Sequence, residues 1–105
     1  MKVFISQPMK GLTDEQILTV REEAIRYVEN NIPITCDDKI EIIDSFFQSA
    51  SVEAKPLWFL SKSLELLSTA DICIFIGDWQ NARGCRIEHM CCREYGIKTI
   101  YFDWE

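Results

Sequence analysis

The sequence predicts an α/β fold: one small sandwich of helices on a four-stranded, mostly parallel sheet. Three observations carry this. Strand-like and helix-like segments alternate in the order β-α-β-α-β-α-β over 105 residues, the pattern that builds parallel sheets through right-handed helical crossovers. The segment from Asp71 to Ile76 is apolar at every position after its first residue, which requires burial on both faces and marks a central parallel strand. The composition, 48% apolar and 27% charged with four glycines and three prolines, is that of a single compact domain spanning 1–105.

The first element is a β-branched and aromatic run, Lys2 to Ser6, that stops at Gln7-Pro8 and reads as a buried strand. A loop follows to Gly11-Leu12. Thr13 and Gln16 then stand at capping-box spacing, with Asp14 and Glu15 where the helix dipole favours negative charge. In the helix that starts there, Ile17, Val20, Ala24, Tyr27 and Val28 share one stripe, and Glu22, Glu23, Arg26 and Glu29 point elsewhere. Asn30-Asn31-Ile32-Pro33 ends the pattern. The 34–39 stretch is turn-like, a second strand is expected at about Ile40 to Asp44, and Ser45 to Lys55 reads as a surface loop over the sheet edge. Pro56 suits a first helical turn, and Leu57, Leu60, Leu64 and Leu67 form one stripe of a helix running to about Thr69. Beyond the central strand comes a loop, Gly77-Asp78-Trp79-Gln80. Asn81 then reads as the N-cap of a helix from Ala82 to Tyr95, Gly96 as its left-handed C-cap, and Lys98 to Phe102 as the last strand. Ligands of such folds sit beyond the carboxyl ends of the strands, so the loops at Gln7 to Leu12, from Ser45 onward and at Gly77 to Asn81 are the places to look.

Charge and composition exclude several functions. A formal charge of −6 repels phosphate backbones and argues against a nucleic-acid polymer as partner. The longest apolar run, Ile72 to Ile76, is far short of the ~20 residues of a membrane span. The apolar stretch behind Met1 is too short for a secretory signal, so a cytoplasmic location is expected. The five cysteines are odd in number and show no Cys-x-x-Cys spacing; they read as reduced thiols, mostly small apolar fillers.

The third helix holds the most informative feature. Gly84, Ile87, Glu88, Cys91 and Tyr95 fall within roughly 100° of one another at helical spacing, so Glu88 interrupts the apolar stripe facing the sheet. Side chains lean toward a helix N-terminus, which aims Glu88 back over Gly84 into the crevice above the strands. A desolvated carboxylate there suits a nucleophile or general base. The competing reading is a structural ion pair with Arg83, Arg86 or Lys62. Arg83 and Arg86 beside the free N–H groups of the helix start form a cationic patch suited to a phosphate or carboxylate, unless they are merely solvated. Cys85, His89 and Cys92 also share a face, but seven helical residues span roughly 10 Å and zinc bonds are only about 2.0 to 2.3 Å long. No metal or other cofactor is therefore expected. His89 reads as a partly buried, hydrogen-bonded histidine, and Cys91 and Cys92 as packing residues. The loop Ser6-Gln7-Pro8-Met9-Lys10-Gly11 lacks both glycine-rich phosphate-loop spacings, yet its amides and the Ser6 hydroxyl would face a ligand. Trp79 is placed either to stack on a base or sugar or to cover the core.

Together these segments resemble a known family. Ser6-Gln7-Pro8-Met9-Lys10-Gly11, Lys62-Ser63-Leu64-Glu65 with Ala70-Asp71, and Gly77-x-Trp79 followed by Ala82-Arg83-Gly84-Cys85-Arg86-Ile87-Glu88-His89 are similar to those of small bacterial and phage domains. That family looks like a branch of the nucleoside 2-deoxyribosyltransferase superfamily, which also holds deoxynucleoside 5′-monophosphate N-glycosidases. The resemblance covers nearly the whole chain, leaving 32–39 and 45–56 loose. It implies a flavodoxin-like (Rossmann-like) three-layer sandwich and cleavage of the bond between deoxyribose C1′ and a base. Gly84-x-x-x-Glu88 matches the spacing of the superfamily's carboxylate nucleophile, so Glu88 would form a glycosyl intermediate resolved by water or a second base.

By the same resemblance Ser6, Gln7, Met9 and Gly11 would hold sugar and base, and Arg83, Gly84 and Arg86 a 5′-phosphate. The implied partner is a small nucleoside or nucleotide. A homo-oligomer is also expected, because superfamily members help close one another's sites and so small a chain buries only about 60 to 65% of its unfolded surface. The sequence departs from the enzymes where they carry an acid/base aspartate: that position is Ser63, with no carboxylate until Glu65. The lead-in to the glycine is likewise Asn81-Ala82-Arg83 in place of an acidic or serine-rich one. Asp78 is the substitute acid/base candidate. Three functions stand side by side: an N-glycosidic enzyme, a nucleotide-binding module using the same crevice, and a structural domain whose glutamate only pairs with arginine.

Overall fold

The computed structural model describes residues 1–8, 11–31, 39–43 and 55–103. Along the chain the elements are β1 (Lys2–Ser6), α1 (Asp14–Asn31), β2 (Glu41–Ile42), α2 (Pro56–Leu67), β3 (Ile72–Ile76), a single 3-10 turn (Trp79–Asn81), α3 (Arg83–Tyr95) and β4 (Lys98–Phe102). The strands form one sheet in the order β2-β1-β3-β4, with every pair parallel. This is a flavodoxin-like, Rossmann-like α/β domain. The chain runs from β1 to β2 in one direction and from β2 through β3 to β4 in the other. Right-handed crossovers therefore put α1 on one face of the sheet and α2 and α3 on the opposite face.

The two-residue period of the strands divides the core accordingly. Val3 and Ile5 of β1 and Ile74 and Ile76 of β3 pack under Val20, Ala24 and Val28 of α1. Phe4, Cys73 and Phe75 pack under Leu67 of α2 and Cys92 of α3. All five β3 residues are buried, as two-sided coverage of a central strand requires. Local chemistry sets the helix ends. The Thr13 backbone N–H donates to Gln16 Oε1 at 2.9 Å and the Gln16 N–H to Thr13 Oγ1 at 3.1 Å, a complete capping box. Gly96 closes α3 at φ 73°, ψ 24°, a left-handed conformation that glycine adopts without a Cβ clash.

Several expectations need correction. The α1 stripe contains Arg21, which is 6% exposed, while Tyr27 is half-buried at its flank and stacks on Phe102 with ring centroids 5.0 Å apart. Leu57, expected on the buried stripe of α2, is 72% exposed and only Leu67 is buried. On α3 the buried line is Cys85, Glu88 and Cys92; Tyr95, expected to share it, is 83% exposed, because the helix is rotated toward Cys85. Asn81 is not the cap of α3. It ends the 3-10 turn, its N–H bonded to the Asp78 carbonyl at 2.9 Å, and the cap position falls to Ala82, which has no capping side chain. β2 is shorter than expected at Glu41–Ile42; the expected strand end at Asp44, the turn at 34–38 and the loop at 45–54 lie outside the described residues. Among the described residues no helix is long and apolar enough to cross a membrane.

Candidate functional site

β1 and β3 are the central strands, and the connections from them leave to opposite sides. Their carboxyl ends therefore mark the crevice where ligands of open α/β sheets bind. Ser6 is the last residue of β1, registered against Phe75 of β3, and is 1% exposed. Its hydroxyl donates to Glu88 Oε1 at 2.8 Å. Glu88 itself is 6% exposed, and burial pushes its carboxyl from the ordinary 4.5 up to about 7, against the lowering effect of the Ser6 hydrogen bond. Desolvation outweighs the hydrogen bond because a carboxylate taken out of water loses several solvating contacts and regains one.

Glu88 makes no ion pair among the described residues. Arg86 Nη1 donates instead to the Gln80 carbonyl at 3.0 Å, and Lys62 pairs with Glu65 at 3.7 Å on the exposed side of α2. The ion-pair reading of Glu88 is thereby corrected: its polar partner is a neutral hydroxyl. Cys85, one turn earlier on α3, is also buried; burial raises its thiol to about 11, with the Glu88 charge adding to the shift and the Ser6 hydroxyl opposing it.

Two hollows flank the start of α3. The first, about 720 Å³, lies between α2 and α3 and contains Glu88; Pro56, Leu57, Phe59, Leu60 and Ile87 form its apolar walls, with Lys55, Ser63 and Cys85 among its polar lining. The second, about 1170 Å³, lies over the ends of β1, β3 and β4 and is lined by polar groups including Asp78, Asn81, Arg86 and Asp103. Gln7, Pro8, Ala82, Arg83 and Gly84 line both. A Cβ added to Gly84 would meet nothing within 4 Å, so the space beside it is open.

The structure brings some sequence candidates together and separates others. Glu88, Gln7, Arg83 and Gly84 share the first hollow. Ser6 lies behind Glu88 and orients it. The Gln7 amide is already engaged, Nε2 donating to the Ile17 carbonyl at 3.2 Å and Oε1 accepting from Arg21 Nη1 at 3.4 Å. Asp78, the candidate acid, is exposed and lines the second hollow with Arg86, not the one that holds Glu88. Trp79 lines neither; it stacks on His89 at 4.2 Å and packs against Phe75 at 5.2 Å, covering the core. His89 is half-buried and bonded through Nε2 to the Tyr101 hydroxyl at 2.7 Å. Gly11, at φ 83°, is exposed and lines neither hollow, and Met9 lies outside the described residues.

Sequence reasoning missed Arg21, Lys55 and Cys85 as parts of this region. Arg21 was detectable, because it falls at the spacing of Ile17, Ala24 and Val28 on the buried side of α1.

Fold and site together define a flavodoxin-like domain with a buried, unpaired carboxylate at the carboxyl edge of its sheet. No protein-family model, curated protein or solved structure matches the chain.

Proposed function

We propose that the chain cleaves or transfers the N-glycosidic bond of a nucleoside or nucleotide, with the Glu88 carboxylate as nucleophile. The observation that carries this reading is a carboxylate buried in an open, largely apolar hollow and held by a serine hydroxyl instead of a cation. A carboxylate neutralised by arginine is a weak nucleophile; one partnered by a hydroxyl keeps its charge for the developing positive charge at an anomeric carbon. Ser6 holds Oε1, and Oε2 has no hydrogen bond among the described residues, which leaves it for the sugar. Attack on C1′ forms a glycosyl ester and expels the base, and water or a second base then resolves the ester with overall retention. Arg83 and Arg86 supply positive charge for a 5′-phosphate, and the resemblance of the chain to nucleoside 2-deoxyribosyltransferases supports the same assignment.

A second reading is favoured by one observation. Among the described residues, the polar residue of α2 that lines the Glu88 hollow is Ser63, which does not serve as a general acid, a contribution typically worth 10² to 10⁴ in rate. On that reading the crevice binds a nucleotide without turning it over. Chromatography of a nucleoside and nucleotide panel separates the two. Release of free base by the wild type and its loss in Glu88→Gln is the expected result; tight retention of an intact ligand by both assigns a binding module. Native mass spectrometry of the same samples tests the expected homo-oligomer.

A further inference from the structure

Gly84 is a glycine that the fold does not require. It lies in the first turn of α3 with an ordinary helical backbone, since the glycines at positive φ are Gly11, Gly77 and Gly96. Glycine costs a helix conformational entropy that alanine does not. A close neighbour would explain the missing side chain, yet a Cβ added at this position meets nothing within 4 Å. Glu88, one turn further along the same face, is therefore not the reason either. Among the described residues nothing calls for a bare Cα here.

The place of Gly84 in the molecule supplies a reason. It lines both hollows, so the two spaces share a wall at the start of α3, and a bare Cα on that wall leaves them open to each other. Each space alone, about 720 and about 1170 Å³, is of a size to hold one small ligand. They differ in chemistry. The first offers the Phe59 ring and the Glu88 carboxylate, and the second offers Asp78, Asn81 and Asp103, whose oxygens accept hydrogen bonds from hydroxyl and amino groups. Cations stand along both: Lys55 in the first, Arg86 in the second, and Arg83 on the shared wall. Arg86 is held by the Gln80 carbonyl, whereas the Arg83 guanidinium has no hydrogen bond or ion pair among the described residues. A ligand that suits this arrangement has an anionic centre and a ring-bearing unit on either side of it.

We infer that one ligand occupies both hollows at once by crossing α3 over Gly84: two nucleoside units joined through phosphate, with the phosphate against Arg83 and the bare Gly84 backbone. This rests on the reading of the crevice as a nucleotide site given above and makes no use of the bond-breaking step. One nucleoside lies in the first hollow, beside Glu88 and with its base on Phe59; the other lies among Asp78, Asn81 and Asp103. Joining the two units makes the second contact intramolecular, so the joined pair binds more tightly than either half. A nucleoside monophosphate fills one hollow only.

The test is isothermal titration calorimetry with deoxyadenosine monophosphate and two joined forms, the 3′–5′ phosphodiester of two deoxyadenosines and diadenosine 5′,5′-diphosphate, which tell the linkages apart. Chromatography of the same samples records any released base, so binding and turnover are read separately. The expected result is a one-to-one complex with a joined form, about 10² or more times tighter than the monophosphate. Gly84→Leu, which sets a side chain on the shared wall, loses that preference. Because the variant places a good helix former in open space, its melting temperature holds or rises. Monophosphate bound as tightly as both joined forms overturns the inference and leaves the N-glycosidic reading standing, and so does a folded Gly84→Leu that keeps the preference. No binding of any of the three overturns the inference together with the nucleotide site it rests on. The affinity ratio of the wild type decides the question even if Gly84→Leu fails to fold.

Discussion

Among the described residues two charged side chains are buried, one on each face of the sheet, and they are used differently. Arg21 of α1 is tied into the fold, with Nη1 on Gln7 Oε1 and Nη2 on the Ile43 carbonyl, both at 3.4 Å. Glu88 of α3 has the Ser6 hydroxyl as its hydrogen-bond donor and faces an open hollow. The two meet at consecutive residues: Ser6 reaches toward α3 and Gln7 toward α1, as the alternation of side chains along an extended chain dictates. The difference teaches that burial of charge has two outcomes. A guanidinium with carbonyl partners braces three segments, whereas a carboxylate with one weak partner keeps a high-energy charge available for chemistry.

The strongest way to break the comparison is Glu88→Gln. Base release is expected to disappear while stability holds or rises above pH 7. The sign follows from linkage: the folded pKa, about 7, lies above the ordinary 4.5, so the contribution of Glu88 to stability is fully present below pH 4.5 and is lost as pH rises through 7. The loss is on the order of 3 kcal/mol at 1.36 kcal/mol per pKa unit. Denaturant titrations at pH 5 and pH 8 check it; the pH dependence should be smaller in the variant. A marked fall in the stability of Glu88→Gln at pH 8 would show that the glutamate is structural after all.

Arg21→Ala is expected to do the opposite, costing about 2 to 4 kcal/mol by stranding the Gln7 and Ile43 oxygens that it satisfies. Equal stability of this variant and the wild type would remove the bracing role. Ser6→Ala sharpens the contrast on the α3 side. Loss of its hydrogen bond raises the Glu88 pKa further, so the rising limb of the pH–rate profile, expected near 7 in the wild type, shifts to higher pH and the rate at pH 6.5 drops. A limb that falls above 7 in the wild type would recast Glu88 as a proton donor. The smallest effect is expected of Thr13→Ala, which opens the capping box of α1 at a cost of about 1 kcal/mol. It should leave the pH–rate profile in place, showing that destabilising α1 does not by itself retune Glu88.

Much of the fold was legible because its signals are local. The unbroken apolar run of β3, the Thr13–Gln16 cap and the Gly96 stop each depend on residues within one turn or strand of one another, and each stands where the sequence places it. Glu88 was legible for the same reason, since helical spacing alone sets a carboxylate among apolar neighbours. The misplaced residues depend on distant packing. Leu57 and Tyr95 sit on correct helices, but close to their ends, and both are exposed. Asp78 is ten residues from Glu88 in sequence, yet the 3-10 turn and the first turn of α3 put it in the neighbouring hollow. Trp79 is turned onto His89 and Phe75 by an aromatic cluster assembled from β3, α3 and β4.

The amino-acid order alone therefore determined the alternation of strands and helices, the central strand and the presence of a costly carboxylate on the third helix, because hydrophobic periodicity and capping act over a few residues. Tertiary structure alone decided that this carboxylate meets Ser6 from 82 residues away, that Arg86 bonds the Gln80 carbonyl and not the carboxylate, and that a hollow opens beside it. Those outcomes depend on how β1, α2 and α3 pack together, and packing between distant segments is set by the shape of the whole core, not by any local run of residues.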